Sequence, residues 1–116
     1  MSIECKRGEV YIVDFNPKRG SEQAGIRPAV IIQNDIGNKL SPTTIIAACS
    51  TAAVKPYPFI VTITAKESGL DSDGYINLAQ IMTIDKTRLN KRCGLLPESK
   101  MAAIDSAIRN SLGLTF

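Results

Sequence analysis

Most of the chain is a succession of short β-branched and aromatic runs, each cut off by glycine, proline or asparagine; only the last segment changes period. That pattern restricts the fold to a small, strongly bent sheet with one helix at its end. Residues 9–15 (Glu-Val-Tyr-Ile-Val-Asp-Phe) read as a first strand. Arg27-Pro28 opens a second, Ala29 to Gln33, whose apolar run lacks polar alternation and predicts burial on both faces. Pro28 suits a strand's first position, where no ladder donor is needed. Residues 34–39 carry turn chemistry. Further strands are expected at 43–49, 59–64 and 75–84, the last bent where Asn77 and Gln80 interrupt it, with a short one at 92–95. Met101, Ile104, Ile108 and Leu112 then recur at helical spacing after Pro97, and Gly113 suits a C-terminal cap, so a helix is predicted over 98–112. Its apolar stripe reads as core packing.

At 116 residues the chain fits a single domain, 1–116. Fourteen basic against eleven acidic residues give a net charge of +3, enough to tolerate a polyanion without announcing one. There is no histidine, which removes Ser-His-Asp and Cys-His nucleophiles, two-histidine ribonuclease chemistry and histidine zinc sites. Cys5, Cys49 and Cys93 are odd in number and far apart in sequence. They read as buried or idle thiols of a reducing cytoplasm, not as a disulfide scaffold or a metal site. Asp71, Asp73 and Gly74 read as a solvated turn, because the glutamate that a calcium loop needs downstream is missing. No signal-peptide core precedes Arg7, and no apolar run is long enough to span a bilayer.

The residues left for chemistry are an arginine at a strand entrance and hydroxyls at a strand exit. Arg27 follows the loop of residues 16–25, and its planar guanidinium grips phosphate oxygens in a fork. On spacing alone the simpler reading is a surface arginine in an ion pair, for example with Glu22. Ser50 and Thr51 can donate to a phosphate or can cap the strand. Lys18 and Arg19 can contact phosphates, while Tyr57 and Phe59 can stack on bases.

In succession these residues resemble a known family. Arg7-Gly8-Glu9-Val10-Tyr11, the stretch from Gly20-Ser21-Glu22-Gln23 through Arg27-Pro28 to Asp35, residues 38–46 and residues 78–89 together resemble the MazF/PemK toxin endoribonucleases. The resemblance covers about residues 7–112. It implies an SH3-like barrel with a C-terminal helix, a cytoplasmic homodimer, and metal-independent cleavage of single-stranded RNA without a cofactor. It also implies neutralisation by a cognate antitoxin. The family's essential pair falls on Arg27 and, by a gapless count, on Ser50, with Thr51 one register step away. Only one of the two hydroxyls is expected to face the site. The resemblance also assigns RNA contacts to Lys18, Arg19, Glu22, Gln23, Pro28, Tyr57, Pro58, Phe59 and Gln80. Glu22 is a candidate base by position. Two alternatives stay open: a gyrase-poisoning toxin of the same barrel superfamily, and a non-catalytic RNA-binding barrel.

Overall fold

The computed structural model describes residues 4–16, 25–52 and 54–115. Its elements are β1 (Glu9–Asp14), β2 (Ile26–Ile31), α1 (Asp35–Leu40), β3 (Thr43–Ser50), β4 (Ile60–Ile63), α2 (Ala65–Ser68), β5 (Gly74–Asp85), β6 (Leu89–Leu95) and α3 (Glu98–Leu112). The six strands form one sheet in the order β4-β5-β3-β2-β1-β6, antiparallel at every pairing. The sheet curls into a half-barrel with the helix α3 on one face, so the expected mainly-β fold with a terminal helix holds. The expected closure does not come from strand pairing: among the described residues β4 and β6 are edges. The short helix α2 packs against β6 instead. Gly69, at φ +77°, lets the chain turn there, and a Cβ on it would lie 2.0 Å from the Cys93 carbonyl oxygen.

Alternation along the strands fills two apolar clusters, one on each face of the sheet. Val30 and Ile32, Ala47 and Cys49, and Ile76 and Leu78 pack with Ile104 and Ala107 of α3. Ala29, Ile31 and Ile46 turn the other way, toward Tyr11, Val13, Ile84 and Leu89. The four residues Ala29 to Ile32 are therefore all buried, two to each face, as the unbroken apolar run predicts. α3 has the predicted bounds. Pro97 is its N-cap and not its first residue, and Gly113 closes it at φ +72°. Leu112, placed in the core stripe by spacing, stays exposed; the apolar side chains of α3 that pack on the core reach only as far as Ile108.

Residues 34–39, expected as a turn, begin a helix. The Asn34 side chain accepts from the Gly37 N–H, which caps α1. The side chain of Asn38 then anchors α1 to the sheet. Its Oδ1 accepts from Thr44 Oγ1 at 2.7 Å and Gln33 Nε2 at 3.0 Å, and its Nδ2 donates to the Gln33 carbonyl and to Asp35. The ammonium of buried Lys86 donates to the Asn38 carbonyl. α2 was not expected either, although Thr64 and Glu67 form a capping box across its start. Asp73 accepts from the Ala65 N–H at 2.7 Å, so the acidic turn finishes capping that helix. All three cysteines are free, with Cys5 and Cys49 buried. Burial pushes the Cys49 thiol up to about 12.

Candidate active site

The β2–β3 ladder ends where the candidate residues begin, and Pro28 supplies the reason. The Ile32 N–H donates to the Ile45 carbonyl at 2.9 Å, which sets the phase of the ladder: Ile32, Val30 and Pro28 are the residues whose amides face β3. Pro28 has no N–H to offer at its turn, and the pairing stops at Ala29↔Ala48. β1 still pairs with β2 from Val10↔Val30 to Asp14↔Ile26, so Pro28 is interior to that ladder and terminal to the other. Two residues beyond the last β2–β3 pair, the same register carried on would bring Arg27 opposite Ser50, and both line one groove. Both sit on the sheet face of Ala29, Ile31 and Ile46, away from α3.

β5 completes the site from the far side of β3. Ser50 pairs with Tyr75 and Ala48 with Asn77. The next residue of β3, Ala47, pairs with Ile81, so Leu78, Ala79 and Gln80 bulge out of the ladder. Gly74 allows the close approach at the strand end: a Cβ there would lie 2.3 Å from the Ser50 carbonyl oxygen.

The result is a groove of about 530 Å³ lined by Arg27, Pro28, Ser50, Thr51 and Gln80, all expected from sequence, and by Tyr75 and Asn77, which were not. Ala48 and Cys49 complete its lining. Thr51 lies past the end of β3, where pleat alternation no longer governs it, so both hydroxyl residues line the groove. Tyr75 and Asn77 were missed because the bulge resets the alternation along β5. Their pairing with Ser50 and Ala48 needs the register, which no spacing rule supplies.

Hydrogen bonding already decides how these groups can act. Ser50 Oγ accepts from the Ala52 N–H at 3.2 Å, which holds the oxygen and leaves the O–H to donate. Asn77 Oδ1 accepts from the Ala79 N–H at 2.9 Å, steadying the bulge. Arg27 is exposed and makes no hydrogen bond or ion pair among the described residues. By contrast Arg7 pairs with Asp105, Arg92 with Glu9, and Arg88 donates to two backbone carbonyls.

Other expected RNA contacts are not in this lining. Tyr57 and Phe59 stack on each other, with ring centroids 5.2 Å apart and planes 12° apart. Phe59 packs on the core, while Tyr57 is 48% exposed and Pro58 is also exposed. The Phe59 carbonyl accepts from the Leu78 N–H, which sets the aromatic pair beside the β5 bulge. Lys18, Arg19, Glu22 and Gln23 lie outside the described residues. Among the described residues no group of three His, Cys, Asp or Glu side chains gathers to hold a metal ion. No helix there is long and apolar enough to cross a membrane.

Residues 6–112 match the family described as PemK-like, MazF-like toxins of type II toxin–antitoxin systems. The chain belongs to this family. A curated relative, "Endoribonuclease MazF" of Staphylococcus epidermidis, is 51% identical over 110 residues, covering 94% of this chain and 92% of that protein. Among solved structures, "Endoribonuclease from Mycobacterial species" superposes with a TM-score of 0.83 at 23% identity, covering 100% of this chain and 98% of that one. A second, "Endoribonuclease in complex with its cognate antitoxin from Mycobacterial species", gives a TM-score of 0.82 at 25% identity, covering 97% and 98%. The half-barrel with its terminal helix is thus a PemK/MazF-like fold over the whole chain. The Arg27 groove lies within the matched residues.

Proposed function

We propose that this toxin is an endoribonuclease that cuts single-stranded RNA in the Arg27 groove. The observation that carries the reading is a guanidinium without a partner among the described residues, in one groove with a serine O–H that is free to donate. Those are the two groups that a phosphodiester passing into a more highly charged transition state requires. The substrate's own 2′-hydroxyl attacks the adjacent phosphorus, the bond to the 5′-oxygen breaks, and the products carry a 2′,3′-cyclic phosphate and a 5′-hydroxyl. Arg27 holds the growing charge on the phosphate oxygens, and Ser50 donates to one of them. Thr51, at the strand exit, borders the same phosphate. No enzyme nucleophile and no metal ion enters this scheme, which suits a chain without histidine.

Single strands are the substrate because unpaired bases can splay into a groove and be read at their edges. In this reading Lys18, Arg19, Glu22 and Gln23 contact the RNA, and the stacked Tyr57–Phe59 pair with Pro58 continues its path beside the β5 bulge. The toxin acts in the cytoplasm, where its substrate is. Its partners are a cognate antitoxin, whose acidic segment competes with RNA for the same cations, and a second copy of the chain. Ile36 and Leu40 of α1, 74% and 77% exposed, offer apolar surface for such contacts.

The deciding assay incubates the purified protein with a long single-stranded RNA in EDTA and maps the new 5′ ends. Discrete cuts bearing 5′-hydroxyls are expected, lost by at least 10²-fold in Arg27→Ala. Intact RNA that shifts on a gel contradicts cleavage and leaves a binding module. Intact RNA with no shift contradicts both.

A further inference from the structure

We infer that Tyr75 is a catalytic residue of the Arg27 groove, the general acid whose phenol proton goes to the departing 5′-oxygen; this rests on the nuclease reading above. Attack by a 2′-hydroxyl leaves an alkoxide at the 5′-oxygen unless a proton reaches it as the bond to phosphorus breaks. A positioned acid contributes about 10²–10⁴-fold in rate at such a step. The chain has no histidine to supply that proton.

The fold puts a phenol where the proton is needed. Ser50 and Tyr75 are direct cross-strand partners, so their side chains stand on the same face of the sheet, with Cβ atoms about 5 Å apart. Alternation along β5 agrees: Ile76 and Leu78 turn into the cluster beneath α3, which turns Tyr75 to the groove face. Arg27 comes from β2, on the other side of β3. With neighbouring strands about 4.8 Å apart, a phosphate seated on the Ser50 hydroxyl is flanked by the guanidinium on one side and the phenol on the other. The Tyr75 hydroxyl is also free. It makes no hydrogen bond among the described residues, and no buried side-chain oxygen there lacks a partner, so this one is open to solvent.

The other described residues of the lining hold their protons too tightly. The amides of Asn77 and Gln80 are not acids, and the aliphatic hydroxyls of Ser50 and Thr51 are of a far weaker class than a phenol. A guanidinium keeps its proton, and Arg27 needs its charge for the phosphate. Cys49 turns toward α3, and burial pushes its thiol up to about 12. That leaves Tyr75. In the step, the 2′-oxygen bonds to phosphorus and its proton passes to water. The bond from phosphorus to the 5′-oxygen breaks, and that oxygen takes the Tyr75 proton. The phenolate then regains a proton from water, so the residue returns to its starting form and no co-reactant other than water is consumed.

The test compares two short single-stranded RNAs carrying the mapped cut site, one with the natural 5′-oxygen at the scissile bond and one with sulfur in its place. A thiolate leaves without a proton, so a general acid gives nothing to the sulfur substrate. Under single turnover Tyr75→Phe, which keeps the ring, should cut the oxygen substrate at least about 10²-fold more slowly than the wild type and the sulfur substrate within about 3-fold of it. Arg27→Ala should be slow on both, because charge develops on the phosphate in either reaction. Equal losses of Tyr75→Phe on the two substrates would put the hydroxyl on the phosphate or in the fold, and would overturn the inference. So would a Tyr75→Phe enzyme as fast as the wild type on the oxygen substrate, which would leave the ring only a stacking surface. A wild type that cuts neither RNA overturns the nuclease reading along with it.

Discussion

Two cations, Lys86 and Arg27, sit on one small sheet and are used in opposite ways. Lys86 is 4% exposed and its ammonium is bonded to the Asn38 carbonyl, while the Asn38 side chain binds Thr44, Gln33 and Asp35. These groups bond one another, and no buried side-chain nitrogen or oxygen among the described residues is left without a partner. Arg27 lies at the opposite extreme. It is exposed at the end of a ladder that Pro28 interrupts, beside a hydroxyl whose hydrogen is unspent. The contrast teaches where binding energy can come from. A donor satisfied within the fold contributes to stability, and one left open keeps its interaction for a ligand.

The contrast breaks most visibly if the two regions respond alike to truncation. Asn38→Ala removes both bonds to Oδ1 and leaves the fully buried Thr44 hydroxyl without an acceptor. A loss of about 3 kcal/mol in unfolding free energy is expected, read from denaturant midpoints at unchanged slope. Arg27→Ala in the same experiment should stay within about 0.5 kcal/mol of the wild type, as for a surface position. A large loss at Arg27 would place it in the structural class.

A smaller effect sharpens the comparison through pH. Asp35 accepts from the Arg7 backbone N–H at 2.7 Å, and that bond, ahead of the one from Asn38, holds its carboxyl below the usual carboxylate range. A folded-state value depressed below the unfolded one stabilises the protein above the unfolded pKa, about 3.9 for aspartate. That contribution is lost as pH falls through the lower folded value. Unfolding midpoints should therefore drop below about pH 4 in the wild type, and the step should shrink in Asp35→Asn. Because the carboxyl is exposed, the effect is modest. An unchanged acid limb would show that the Arg7 contact does not favour the ionised form.

Much of this was legible in sequence because it depends on pattern. β-branched runs located the strands, and the spacing of Met101, Ile104 and Ile108 located α3. Arg27 and Ser50 were brought together by resemblance to the PemK/MazF family, and the register accounts for their proximity. Short helices were not legible. α1 and α2, at six and four residues, are too brief for a 3.6-residue period to show. Their caps, Asn34 and the Thr64–Glu67 pair, were the only signals. The far wall of the groove was illegible for a different reason. Tyr75 and Asn77 face Ser50 and Ala48 only because three residues bulge out of β5, and a bulge leaves no mark on alternation that residue types alone resolve. The role of Gly74 was hidden likewise, since a turn glycine does not announce the backbone that comes close to it.

The central claim is that Arg27 and Ser50 act on one phosphodiester, and a double-mutant cycle on the cleavage rate tests it most directly. Single-turnover rates on one defined RNA would be compared for the wild type, Arg27→Ala, Ser50→Ala and the double variant, with Thr51→Ala alongside. Groups that stabilise the same transition-state charge are strongly non-additive, so the double variant should cut little more slowly than Arg27→Ala, within about 3-fold. Losses that multiply in full, or a Ser50→Ala enzyme as fast as the wild type while Thr51→Ala is slow, would contradict the account.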